Sequence, residues 1–548
     1  MGDSCMTRRA FVRGTASVGA AAAGAAAIGA TGSLAGCGQG ASDTSTEKRK
    51  VLRFGQANSK QGLDMQKSTS SQSSSISDTI FETPLLFTEE NELVPLLFTE
   101  VPAPEADGVT YHCTLKGGVT FHDGSALAAD DVKFTFERMF TPATGAKSTY
   151  LYDMIAGAKE MLAGTATELA GLTVEDDTHL TFVLTEPYAC FARNLGSSYA
   201  QVFPRDACTA AGSSWGTGTS CVGTGPYKME SNDDATEVVL VRNDSYHGDR
   251  PPLDEVRYRY FDDVNTKMLS FKNGDIDWCD LDGSLLATYQ QDPDVKDLIV
   301  SYDTLGTYFV ALNLSEGKGL EDADVRRALS LAIDRDKLVE TVLSGAGTPA
   351  SGFLTPQEPG FDKDAPVFAY DPDEAARILG EKGAPSLLIQ VRAQDQNVAV
   401  AIQDFWSKAG VSCDVNTVDN GVWAQDRAAG NLQVTLLGWF PAYADGDNNM
   451  YTYFLSSTAK KNSSFYSNAR VDELLTAARA STDEDARADM YKEVDDIVTR
   501  QDFAVLPLFY PKHQFVAKDY VKNAKVGNLI YHVRGVDVDT TKADYSAE

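Results

Sequence analysis

The chain has 548 residues, 43% of them hydrophobic, 23% charged and 9% aromatic, which excludes collagen, coiled coil, intrinsic disorder and a polytopic membrane protein. Lysine and arginine number 48 against 78 aspartates and glutamates, a formal charge of −30; such a surface repels phosphate backbones, so no nucleic acid is expected as partner. At roughly 150 residues per domain the length predicts three or four domain-sized units.

The first 36 residues differ from the rest. Their charges are Asp3, Arg8, Arg9 and Arg13, and Gly14 to Gly36 is an uncharged stretch of mostly Ala and Gly, too weakly apolar for a permanent membrane span. Thr7-Arg8-Arg9-Ala10-Phe11-Val12-Arg13 resembles the twin-arginine export motif, and Leu34-Ala35-Gly36-Cys37 resembles the lipobox of a bacterial lipoprotein. In that order they predict a processed signal peptide over 1–36 and a diacylated Cys37, which tethers the body to the outer face of the cell membrane. Residues 37–50, rich in Gly, Ser, Thr and charge, read as a flexible tether.

The body predicts alternating strands and helices, and hence α/β lobes. Thr178–Leu184 places Leu180, Phe182 and Leu184 on one face, and Val256, Tyr258 and Tyr260 alternate with Arg257 and Arg259, as in half-buried strands. Leu387–Val391 and Val434–Leu437 read as strands covered on both sides. Asp371-Pro372-Asp373-Glu374 opens a helix that Gly383 ends. Ser481 with Glu484 has the capping-box spacing ahead of the stripe Met490, Tyr491, Val494, Ile497 and Val498.

Beyond the leader the cysteines are 113, 190, 208, 221, 279 and 413, and none forms CxxC. Six thiols allow 15 pairings; Cys208 with Cys221, flanking a Gly/Ser-rich loop, is the expected bridge if one forms. Histidine numbers six, and zinc, haem and iron–sulfur sites have no motif behind them, so neither metal nor cofactor is expected. No HExxH or Cys–His signature marks a hydrolase. Asp445-Gly446-Asp447 has the acidic spacing of a calcium loop, but Met450 and Ser456 stand where Gly and Glu belong.

Five collinear stretches carry a resemblance. They are Tyr111–Met139 with its Phe121-His122-Asp123-Gly124 core, Val222–Tyr227, Asn243–Asp277, Asp324–Arg335 and Ser464–Tyr510. Each also has a structural reading: Phe121–Gly124 as a turn, Gly223-Thr224-Gly225-Pro226 as a tight connection, Arg326 and Arg327 on a solvated face or paired with Asp334. Together they resemble the bacterial solute-binding proteins of oligopeptide, dipeptide and nickel ABC importers, extracellular solute-binding family 5.

That resemblance implies a two-lobed α/β fold of the periplasmic-binding-protein kind (type II, cluster C) with an extra domain inserted in the N-terminal lobe. It implies lobe I over 51–84, 209–308 and 506–548, an extra domain over 85–208, and lobe III over 309–505, with hinge strands near Tyr308–Asn313 and Phe503–Phe509. The implied role is capture of a peptide or other small solute between lobes by a non-enzymatic monomer that delivers it to the transmembrane subunits of an ABC permease. Leu437–Asp447 resembles the family's ligand-contact segment, where an Asp three residues after the Trp receives a peptide ammonium; here that residue is Ala442. Asp445 or Asp447 can reach the same charge from a neighbouring turn. Trp439, Phe440, Tyr443 and Tyr308 are the aromatic candidates, and Arg392, at the end of a strand, is the candidate for a ligand carboxylate. Without an ammonium anchor the solute is instead an oligosaccharide, an opine-like compound or a metallophore; a third reading is a surface interaction or signalling module without transport.

Overall fold

The computed structural model describes residues 48–548 except 89, 459, 461, 528, 529 and 548. The twin-arginine stretch, the lipobox and Cys37 lie outside the described residues. Lys48–Glu548 is one compact unit. The expected tether ends before residue 50, because Arg49 pairs with Glu255 at 2.7 Å and the Lys50 amide donates to Asp254 at 2.8 Å.

A 12-stranded mixed sheet runs through the unit. On one side lie Ser412–Val418, Ser386–Arg392, Val434–Trp439 and Thr307–Leu312; on the other lie Trp278–Asp280, Val51–Gln56, Glu255–Tyr260, Glu237–Arg242 and Tyr227–Asn232. Strand Val505–Ala517 joins the two sets. Its first residues pair antiparallel with Thr307–Leu312, with Ala311 opposite Val505, and its last pair with Trp278–Asp280, with Trp278 opposite Ala517. The chain crosses between the sets a second time at Thr304–Gly306, between strands Ile299–Asp303 and Thr307–Leu312. Two crossings of this kind are what a hinge between lobes requires.

Apolar burial follows the same division. Val310, Leu312, Ile389, Val391, Val434 and Leu436 pack under Leu329, Ile402 and Trp406, and on the opposite face Phe309, Leu437 and Val505 pack under Leu475, Tyr491 and Val498. Leu52, Phe54, Val256, Tyr258 and Trp278 form the core of the other set with Phe515. Residues 85–202 form a further core around the three-stranded sheet Thr110–Thr114, His179–Val183, Leu172–Val174 and helix Ala129–Phe140. Two glycines fasten the loop that follows this region. Gly223 and Gly225 lie so close to the Ile80 carbonyl that a Cβ at either would collide with it, and His122 holds the same loop through the Gly225 carbonyl at 2.9 Å.

Several local expectations need correction. Leu387–Val391 is covered on one face only: it belongs to Ser386–Arg392, which alternates buried and open positions, with Leu388 40% exposed. The helix Glu484–Asp496 is capped by Asp483, which accepts from the Ala486 amide at 3.0 Å, while Ser481 ends the preceding helix. Arg326 is not solvated; it is buried and donates to the carbonyls of Asp502, Phe503, Leu320 and Glu321. Cys208 and Cys221 are both buried and free, as are the other four cysteines of the described residues.

Candidate functional site

Strands Ser386–Arg392, Ser412–Val418 and Val434–Trp439 run parallel, and Thr307–Leu312 runs antiparallel beside the last, with Thr307 opposite Trp439. Arg392, Val418, Trp439 and Tyr308 therefore emerge at one edge of the sheet, at the carboxyl ends of the parallel strands. In open α/β sheets that edge is where ligands bind, because the strands stop there and the loops diverge.

Four of the seven candidates meet at this edge. The Trp439 ring stands edge-on to Tyr453, centroids 5.6 Å apart. Phe440 is 39% exposed and lies over Gly306, where any side chain would collide with its ring, while a side chain at Gly438 would collide with the Tyr308 ring. Tyr308 stacks on Phe509 with centroids 5.0 Å apart and donates to Asp395. Burial, reinforced by that carboxylate, pushes the Tyr308 phenol well above its ordinary pKa, so it stays a donor. Arg392 Nε donates to the same Asp395 at 2.9 Å, and its guanidinium lies 4.6 Å from the Trp423 ring centroid. The expected carboxylate acceptor is thus already occupied by a buried aspartate.

The other three candidates turn inward. Ala442 is exposed and its amide donates to Asn448 Oδ1 at 2.8 Å; from there the chain dives under residues 85–202. Tyr443 is 1% exposed and stacks on Phe87, centroids 5.8 Å apart. Asp445 lies 2.7 Å from Arg487 and 3.6 Å from Arg193. Asp447 accepts from the Tyr188 hydroxyl at 2.8 Å and lies 3.6 Å from Arg479, whose guanidinium sits 4.4 Å from the Tyr188 ring centroid. Burial raises the Asp447 carboxyl above its usual range, with Arg479 opposing that rise. With three guanidiniums around two carboxylates, neither aspartate is spare for a ligand ammonium. Tyr443, Asp445 and Asp447 form the joint between the core of residues 85–202 and the elements that carry the edge.

Sequence reasoning missed Asp395, Trp423, Arg427 and Tyr453. Asp395 leaves a readable trace three residues after Arg392, and Trp423 and Arg427 leave one in the four-residue spacing that puts both on one face of helix Asn420–Ala429 behind its Asp419 cap. A cavity of about 390 Å³, lined among others by Ser351, Phe361, Asp495 and Arg500, shares no residue with the edge. Among the described residues no cluster of His, Cys, Asp or Glu is placed to hold a metal ion.

The model of the bacterial extracellular solute-binding proteins, family 5, matches residues 92–461. The dipeptide-binding protein of Escherichia coli is 25% identical over 434 residues, 75% of this chain and 79% of that protein. Heme-binding protein A of Haemophilus influenzae is 27% identical over 423 residues, 72% of this chain and 75% of that one. Protein XP55 of Streptomyces lividans is 29% identical over 440 residues, 76% of each. Among solved structures, the periplasmic murein tripeptide-binding protein MppA in an unliganded open form superposes with a TM-score of 0.77 at 21% identity, covering 90% of this chain and 98% of that one. These likenesses give the two-lobed fold.

Proposed function

This chain belongs to the bacterial extracellular solute-binding proteins of family 5, and from that premise we propose that it is the extracytoplasmic receptor of an ABC importer, capturing a peptide-like solute and handing it to the permease. In this reading 51–84, 209–308 and 506–548 form one lobe, 309–505 the other and 85–208 the extra domain. Cys37 carries the lipid anchor after twin-arginine export, and the receptor is a monomer with no bond chemistry of its own. Dipeptides, named for the Escherichia coli relative, are one kind of solute the site accommodates.

The observation that supports this most is the aromatic edge of Trp439, Phe440 and Tyr308, set at the ends of parallel strands and beside the two chain crossings. Aromatic faces suit variable side chains, and main-chain pairing to a strand end is indifferent to them. A solute that touches both lobes shifts them toward the closed form by its differential affinity; moving from 1:99 to 99:1 takes about 5.5 kcal/mol.

Mass spectrometry of molecules released from the purified protein on mild denaturation tests the proposal. Intact peptides are expected, and Trp439→Ala is expected to weaken their binding at least tenfold. Release of cleaved or oxidised products overturns the receptor reading. A second reading, a non-peptide solute, is favoured by the exposure of Ala442 and the commitment of Asp445 and Asp447 to arginines; recovery of an oligosaccharide, opine-like compound or metallophore selects it.

A further inference from the structure

The first chain crossing, Thr304–Gly306, is tied to the second. The Thr304 hydroxyl donates to the Pro511 carbonyl of the crossing strand at 2.8 Å and accepts from the Gly306 amide at 3.1 Å. Leu305, between them, is 2% exposed. Thr304 and Leu305 are thus held by their side chains, and Gly306 has none. It is the residue of this segment best able to absorb the backbone rotation that a hinge needs.

The strand register decides what lies on that glycine. Thr307 pairs with Trp439, so one step further along the antiparallel ladder Gly306 stands against Phe440. The Phe440 ring fills the place that a Cβ of residue 306 would take, yet the same ring is 39% exposed at the strand-end edge. One part of it therefore rests on the hinge backbone while the rest faces the space a solute would occupy. Leaving that apolar surface in water is unfavourable, and a solute that covers it recovers the loss. A rotation at Gly306 must move the ring, and a ring pinned from its open side opposes that rotation.

We propose that Phe440 is the positioning residue that couples solute capture to hinge closure. Its ring and the Gly306 backbone fit each other in one setting of the hinge, and a solute covering the open part of the ring holds that setting, so that contact at the edge is felt at the crossing. The inference rests on the receptor reading and deepens it, by naming the contact through which the bound solute biases the lobes.

The test measures affinity by calorimetry and radius of gyration by small-angle scattering, with a random tripeptide library as probe, for wild type, Phe440→Ala, Phe440→Tyr, Gly306→Ala and the variant carrying both alanines. A side chain that only touches the solute weakens binding but leaves closure complete at saturation; a coupling residue does not. At saturation Phe440→Ala is expected to lose at least half of the fall in radius seen for wild type, and Phe440→Tyr, which keeps the ring, to retain it. Gly306→Ala is expected to lose as much, and the double variant no more than either single one, because the added methyl then meets no ring. Full closure of saturated Phe440→Ala, or losses that add in the double variant, overturns the coupling and leaves the receptor reading intact. Should Gly306→Ala fail to fold, Phe440→Ala against Phe440→Tyr still decides. A wild type that binds the library at an unchanged radius overturns the coupling together with closure, and one that binds no tripeptide overturns the peptide reading and this proposal with it.

Discussion

Asp445 is 1% exposed and faces Arg487 at 2.7 Å and Arg193 at 3.6 Å. Removing one partner of a buried ion cluster leaves the remaining charges uncompensated, typically at about 3–5 kcal/mol. Asp445→Ala is therefore expected to lower stability to denaturant by that order, and to weaken a free peptide and its N-acetylated form alike; a loss confined to the free amine in a binding titration would restore the ammonium role. Glu358, close by, is 4% exposed, and burial pushes its carboxyl up to about 8 against bonds from Thr355 and Asn449. The folded chain thus holds a proton that the unfolded chain, with a carboxyl near 4.5, gives up. Stability from this group is present below about pH 4.5 and is lost as pH rises toward 8. Glu358→Gln has no such proton, so its unfolding temperature should gain on wild type between pH 5 and pH 8; a constant difference by scanning calorimetry rejects this account.

At the scale of elements, the crossing strand Val505–Ala517 is held where it begins by two arginines that act on carbonyls rather than on acids. Arg326 donates to Asp502 and Phe503, and Arg335 to Pro507 at 2.7 Å. Phe503 has φ +46°, an unfavourable backbone for an aromatic residue, and the Arg326 bonds hold it there. Each charge-assisted bond contributes about 1.5–3 kcal/mol, so Arg326→Ala is expected to lose about 2–4 kcal/mol in chemical denaturation. Arg326→Lys should recover little, because one ammonium cannot span carbonyls that a planar fork reaches together. A loss under about 0.5 kcal/mol, the level of an ordinary surface change, would show that the strand start does not depend on it. The helix Pro372–Lys382 presents the opposite case: Asp371, Pro372 and Gly383 mark its ends in sequence and in structure because capping is decided within a turn. The buried partners of Arg326 lie up to 177 residues away, and nothing near position 326 announces them.

For the whole molecule, the two crossings at Thr304–Gly306 and Val505–Ala517 predict hinge closure on binding. The radius of gyration by small-angle scattering should fall when a bound peptide is added, and the peptide should be recovered unaltered; an unchanged radius at saturation would remove closure from the mechanism. The joint formed by Tyr443, Asp445 and Asp447 against Phe87, Arg193 and Tyr188 couples the inserted core to the lobe carrying the edge, so those parts are expected to travel together.

The amino-acid order alone determined the α/β class, the family, the ends of helix Pro372–Lys382 and the aromatic segment after strand Val434–Trp439, because each depends on spacing within a few turns or on collinear motifs. Which half of that segment faces outward was decided only by tertiary structure. Trp439, Phe440 and Ala442 sit where the parallel strands end, whereas Tyr443 to Asp447 are covered by chain from residues 85–202. Nor does sequence spacing show that Asp445 is paired with Arg193 and Arg487, which come from distant parts of the chain. Charge pairing between distant parts of the chain is a property of the packed molecule, and it commits Asp445 to these arginines.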